Sequence, residues 1–256
     1  MSDPVEVYWM IGCSSCLRMK EFVEKSGVPY TAYEVTQDPV AMEKVRRLKA
    51  EVPCTVVGDE WALGLDLGAV AKLIGIPYEA PDILPTDQLL EKYRIVIDTL
   101  QRLIRQARPE ILDFKEPERD RTLINLAYHA ASVMRTFLYA YDPERLAPGD
   151  VYLMEHFPHL PPECSTAEDI VARAQETLEL AESWWREYGF DDPLDRVEHC
   201  YWGNRTLLEM FEREVWHSAQ HTRQVAFYLE HAGISPDRPL GPTELAGLPV
   251  PERVFG

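Results

Sequence analysis

Along the first quarter of the chain, short apolar and β-branched runs alternate with stretches of helical periodicity. Val5-Glu6-Val7-Tyr8-Trp9 reads as a strand, and Cys16 to Lys25 as an amphipathic helix. Tyr30 to Val35 is a second strand, followed by a helical Val40 to Leu48. Thr55-Val56-Val57 and Glu60-Trp61-Ala62 flank Gly58-Asp59, a turn pair suited to a hairpin. A short helix over Gly68 to Ile74 closes the segment. This order predicts a small sheet with helices packed on it.

The pattern changes at Pro77-Tyr78-Glu79-Ala80-Pro81-Asp82-Ile83-Leu84-Pro85. Proline fixes φ and removes a backbone donor, so this stretch reads as a linker. Beyond it strand signals stop, and four long helical stretches follow near 86–107, 117–141, 166–188 and 204–232. Ser165-Thr166-Ala167-Glu168 has a capping-box pattern, and Gly233 follows the last helical residue, where a left-handed cap is common. The expectation is an α+β multidomain chain: an α/β domain over 1–76, a linker over 77–85, and an all-α four-helix bundle with a C-terminal tail over 86–256.

Composition narrows the function. Across 256 residues, 46% are hydrophobic, enough for two cores. A net charge of −17 argues against nucleic acid, which is bound by clustered Lys and Arg, and against an anionic membrane surface. No apolar run approaches the ~20 residues that span a bilayer. The acidic start, Met1-Ser2-Asp3-Pro4-Val5-Glu6, lacks the basic and apolar regions of a signal peptide. Five cysteines, an odd number, do not suggest an extracellular disulfide framework, so the expected setting is a reducing cytoplasm.

Two groups of residues carry chemistry. Cys13-Ser14-Ser15-Cys16 stands between a strand and a helix. There the helix N-terminus stabilises thiolate, so Cys13 is the expected nucleophile and Cys16 the resolving thiol. The alternative, half of a zinc site, needs two further ligands, and no second Cys-x-x-Cys exists. Cys54 reads as a buried apolar cysteine. The second group is His217 and His221, four residues apart and so one turn apart on one helix face. His129, in another helical stretch, is the third candidate ligand. Three neutral imidazoles suit zinc first, with nickel and iron(II) also compatible, and leave a position open for a substrate. A hydrogen-bonded core histidine and a polar stripe are the alternatives. Glu214, near His217, is a candidate general acid/base or a partner that orients an imidazole.

Other residues rank lower. His156 and His159 lie in a Pro-rich loop, His199 precedes the fourth helix, and His231 sits in its last turn. Cys164 and Cys200 flank the third helix, while Trp184, Trp185 and Trp216 read as core.

Over residues 4–76 the chain resembles the glutaredoxin branch of the thioredoxin fold. The resemblance rests on Val7-Tyr8-Trp9 before Cys13-Ser14-Ser15-Cys16, on Val52-Pro53, and on Val57-Gly58-Asp59 with Gly64-Leu65-Asp66. It implies a cis Pro53 facing the cysteines and a glutathione-like site at Val52, Pro53, Gly64 and Asp66. Ser14-Ser15 departs from the Pro-aromatic pair common in that family. Over residues 86–235 the chain resembles the DinB-like bundle family, which includes thiol-dependent transferases and mycothiol-dependent isomerases. His129 with His217-x-x-x-His221 carries that likeness, and Thr222-Arg223-Gln224 fits the same helix.

Together these features predict a thiol-handling enzyme. A His129–His217–His221 metal activates a low-molecular-weight thiol, glutathione by resemblance, toward an electrophilic substrate, coupled to the dithiol. A redox-responsive binding or sensing protein with no turnover is the rival. A homodimer is compatible with either.

Overall fold

A computed structural model of the chain describes residues 3–115, 121–146, 164–200 and 202–255. Two compact units emerge: the first holds the residues up to Asp82 together with those from Pro251 onward, the second Ile83–Val250.

The first unit has strands β1 (Val5–Trp9), β2 (Tyr30–Glu34), β3 (Cys54–Val57) and β4 (Glu60–Leu63) in the order β2-β1-β3-β4. β1 pairs parallel with β2 and antiparallel with β3, which pairs antiparallel with β4. Successive residues of a strand point to opposite faces, and β1 shows the result. Val7 joins Met19, Val23 and Val70 of helices α1 (Ser14–Ser26) and α3 (Leu67–Ile74). Tyr8 joins Ala41 and Val45 of α2 (Pro39–Leu48) on the other side. This is the expected thioredoxin-like sheet, covered on both faces.

Local chemistry sets the helix ends. Asp38 caps α2 by accepting from the N–H groups of Val40 and Ala41, and Pro39 occupies its first turn. α1 ends at Gly27 with φ 72°, a left-handed position where glycine is unstrained.

The last residues were expected to trail from the bundle, but they cluster with the first unit. The cause is Glu21 of α1, a buried carboxylate that accepts from the backbone N–H groups of Glu252 and Arg253, each at 2.8 Å. Exposed ion pairs join Lys25 to Glu252 and Arg253 to Glu24, both at 2.7 Å.

The second unit is the expected bundle. Its long helices are α4 (Thr86–Ile104), α6 (Leu123–Ser132) continued by α7 (Met134–Tyr141), α8 (Ala167–Trp184) and α9 (Leu207–His231), with short α5 (Pro109–Leu112) and α10 (Pro242–Leu245) beside them. Helix α9 packs against α4, α6 and α7, while α8 packs against α4 and α6. The expected helix near 117–141 is described from Thr122, its N-cap, and is interrupted only at Val133. Helix α8 does have a capping box, between Thr166 and Asp169 rather than from Ser165. After Trp184 the turns widen into a π-helix over Trp185–Gly189. Only glycine fits at 189, because a Cβ there would run into the Trp185 ring.

One expectation is corrected. Strand structure does return beyond the linker: β5 (Val197–Cys200) and β6 (Gly203–Thr206) form an antiparallel hairpin. Residues 204–206 are therefore strand, and the fourth long helix begins at Leu207. Thr206 ends β6 and caps α9, in a capping box with Glu209.

Candidate functional site

The first centre lies at the N-terminus of α1. Cys13 is the N-cap residue, and its Sγ accepts the N–H of Cys16 at 3.1 Å. The two cysteines are joined in a disulfide. Cys16 is fully buried, whereas Cys13 is only half-buried, so solvent reaches the outer sulfur first. The loop before them is tied down by the N–H of Ile11, which donates to Glu34 at 3.2 Å.

The Val52–Pro53 peptide is cis. Pro53 O accepts the N–H of Gly64 at 2.7 Å, so two of the four candidate glutathione residues touch. A side chain at 64 would collide with Met19 and Pro53, which explains the glycine. Val52 packs beside the Tyr8 cluster, and Asp66 caps α3 by accepting from Ala69 at 2.9 Å. Cys54 is buried in β3, and desolvation pushes its thiol up to about 12, which keeps it protonated and inert.

The second centre is built from α6 and α9. His129 Nε2 lies 3.4 Å from His217 Nε2, which lies 3.0 Å from His221 Nε2. All three rings are buried, and their ligand atoms fall within 4.8 Å of one another. Helical spacing stacks His217 and His221, while the Ser218 hydroxyl donates to Ala130 O at 3.0 Å and fixes the register of α9 against α6.

Hydrogen bonding assigns one tautomer. His221 Nδ1 lies 2.6 Å from Gln224 Oε1, which can only accept. The proton is therefore on Nδ1, and Nε2 of His221 presents a lone pair. His217 Nδ1 makes no hydrogen bond and stands 3.6 Å from a carboxylate oxygen of Glu214, just beyond hydrogen-bond reach. The bare Nε2 of His221 faces His217 Nε2 at 3.0 Å, where either a His217 Nε2–H or a cation shared by the two rings satisfies its lone pair. Two imidazoles on one tetrahedral zinc at about 2.1 Å stand roughly 3.4 Å apart, close to these separations. The donor set fits a divalent metal.

Electrostatics agree. Burial holds His129 and His217 well below the ordinary imidazole range, with the Arg121 and Arg213 cations adding to the effect at both rings. Neutral rings are the ligating form. Burial raises Glu214, opposed by Arg213, whose Nη1 donates to both of its oxygens at 2.8 and 2.7 Å.

A pH dependence follows. The unfolded chain takes up protons on these histidines near pH 6.5, while the folded rings resist them. Metal-free protein should thus lose thermal stability as pH falls below about 6.5, and His217→Phe should flatten that slope in calorimetry.

The remaining candidates lie elsewhere. His199 pairs with Asn204 on the exposed hairpin, and His231 Nδ1 approaches Phe227 O in the last turn of α9. Trp184 is core, stacked edge-on against Phe137 and Phe211. Cys164 is buried and the Cys200 thiol donates to Gly203 O. His156 and His159 fall outside the described residues. Sequence reasoning missed Arg213, whose signal was its place one turn before His217.

Residues 85–225 match the family model of the DinB superfamily, more than half of the chain. The chain belongs to the DinB superfamily. Residues 5–62 of this DinB protein match the glutaredoxin family model. A solved structure of a putative DinB family member from Exiguobacterium sibiricum is 19% identical, covering 59% of this chain and 95% of that one at a TM-score of 0.43. No curated protein matches. The two family matches support thiol-redox and metal-binding roles. Among the described residues of this DinB chain, no helix is long and apolar enough to cross a membrane.

Proposed function

We propose that this protein is a metal-dependent thiol-handling enzyme. The observation that carries the reading is the convergence of the buried His129, His217 and His221 Nε2 atoms, with that of His221 free of a proton. These three residues would hold a divalent ion, zinc by donor chemistry. When bound, such an ion lowers the pKa of a thiol ligand and supplies thiolate at neutral pH. Three protein ligands leave room for a small thiol, for which the glutaredoxin match favours glutathione. Transfer to an electrophile, isomerisation or elimination are the reactions open to such a thiolate.

The dithiol completes the reading. Reduced Cys13 attacks a mixed disulfide and expels its protein or small-molecule thiolate. Cys16 then attacks Cys13, releases the second thiol and forms the Cys13–Cys16 disulfide. Two small thiols restore the pair and leave as their own disulfide. The Cys13–Cys16 couple would thereby clear mixed disulfides formed around the bundle chemistry. The setting proposed is the cytoplasm, with a small thiol and an electrophile as partners.

One observation favours the rival sensing or binding role. Glu214, whose carboxylate stands 3.6 Å from His217 Nδ1, has both oxygens bound by Arg213 and is poorly placed as a base. Steady-state turnover decides between them. With glutathione and an aryl halide, Cys13→Ser (metal intact) and His221→Ala (dithiol intact) should each lose most activity if one reaction couples the centres. A fragment of residues 83–250 that kept full activity with glutathione alone would make the glutaredoxin-like unit an accessory. No turnover in the intact chain would leave the sensing role.

A further inference from the structure

We propose that Arg213 is a positioning residue for the His217 ligand, acting through Glu214 and clamped by the β5–β6 hairpin. The inference rests on the metal-binding reading above. Glu214 is 1% exposed, and a carboxylate so deep stays ionised only with a partner in the same low-dielectric space. Arg213 supplies it, with one nitrogen, Nη1, donating to both oxygens at 2.8 and 2.7 Å. That grip leaves Oε2 facing His217 Nδ1 at 3.6 Å. A proton on Nδ1 is what an Nε2-ligating histidine needs, and the negative carboxylate on that side of the ring favours it there.

The guanidinium is held in turn. The Trp202 ring, at the hairpin turn, lies 5.8 Å from the Arg213 guanidinium carbon and 5.4 Å from that of Arg205. Trp202 is buried, so the hairpin closes over Arg213 and keeps water from competing for the Glu214 carboxylate. The series Trp202, Arg213, Glu214, His217 thus runs from the hairpin to the proposed metal. Arg213 lies one turn before His217 on the same face of α9, while Glu214 is its immediate neighbour.

The test measures zinc affinity of the full chain by competition with a chromophoric chelator, alongside chemical denaturation of each metal-free variant. Glu214→Gln, which keeps shape and removes charge, should weaken zinc by about 10–100-fold. Arg213→Gln should weaken it to a similar extent, and Arg213→Lys, which keeps the cation, should recover a good part of the loss. In a Glu214→Gln background, Arg213→Lys should change nothing further, because lysine keeps the cation's direct field at the rings and the carboxylate that Arg213 positions is no longer charged. Should Arg213→Gln fail to fold, the Lys and Gln variants still decide. Wild-type affinity in Glu214→Gln, or losses that multiply in the double variant, would overturn the relay. A wild-type chain that binds no zinc would instead overturn the metal reading.

Discussion

Protein purified without chelator should carry close to one divalent ion per chain, and the His217→Ala, His221→Ala double variant should carry almost none. The expectation follows from the ligand count. Three imidazoles hold an ion firmly, two hold it poorly, and a lone His129 offers nothing beyond a surface histidine. Each single replacement should therefore already cut affinity sharply. His129→Ala is the most telling of the three, since it leaves the helical His217–His221 pair intact yet removes the only ligand from α6. Elemental analysis gives the stoichiometry and chelator competition the affinity. Full metal retention in the double variant would sink the triad.

The second large effect concerns the dithiol. Once the Cys13–Cys16 disulfide is reduced, Cys13 should alkylate faster at neutral pH than Cys16, Cys54, Cys164 or Cys200. Its sulfur receives the Cys16 N–H at the start of α1, which stabilises thiolate, and it alone of the pair is reached by solvent. Cys54 provides the internal contrast, with its thiol raised to about 12 by burial. Cys16→Ser should trap a mixed disulfide on Cys13 after oxidised glutathione is added, visible by intact-mass spectrometry. Faster labelling of Cys16 or Cys54 would reverse the roles of nucleophile and resolver.

Much of this was legible in the sequence, and for identifiable reasons. His217 and His221 could be paired because helical geometry forces residues four apart onto one face. The sheet of the first unit could be read because β1, β2 and the β3–β4 hairpin keep strand composition between clear turns. The β5–β6 hairpin escaped because Glu198, His199, Asn204 and Arg205 are polar and the strands are four residues each, too short to show a period. The C-terminal anchor escaped for a different reason. Glu21 meets backbone N–H groups more than 200 positions away, and a backbone donor has no signature in sequence. Similarly, the bond between Arg213 and Glu214 joins neighbours that helical periodicity places on different faces.

The proposed triad would draw its ligands from positions 88 residues apart, on α6 and α9, with a consequence for how the bundle holds together. An ion there is a cross-link that closes a long loop, a reversible counterpart of a disulfide. It would bind the folded bundle better than the open chain, which keeps only the local His217–His221 pair. Mass action then makes the stability of the bundle a function of free metal, rising by about 1.4 kcal/mol for every tenfold increase above the dissociation constant. Metal supply would thus govern how often α6 parts from α9, and so the lifetime of the chain against proteolysis as well as its chemistry.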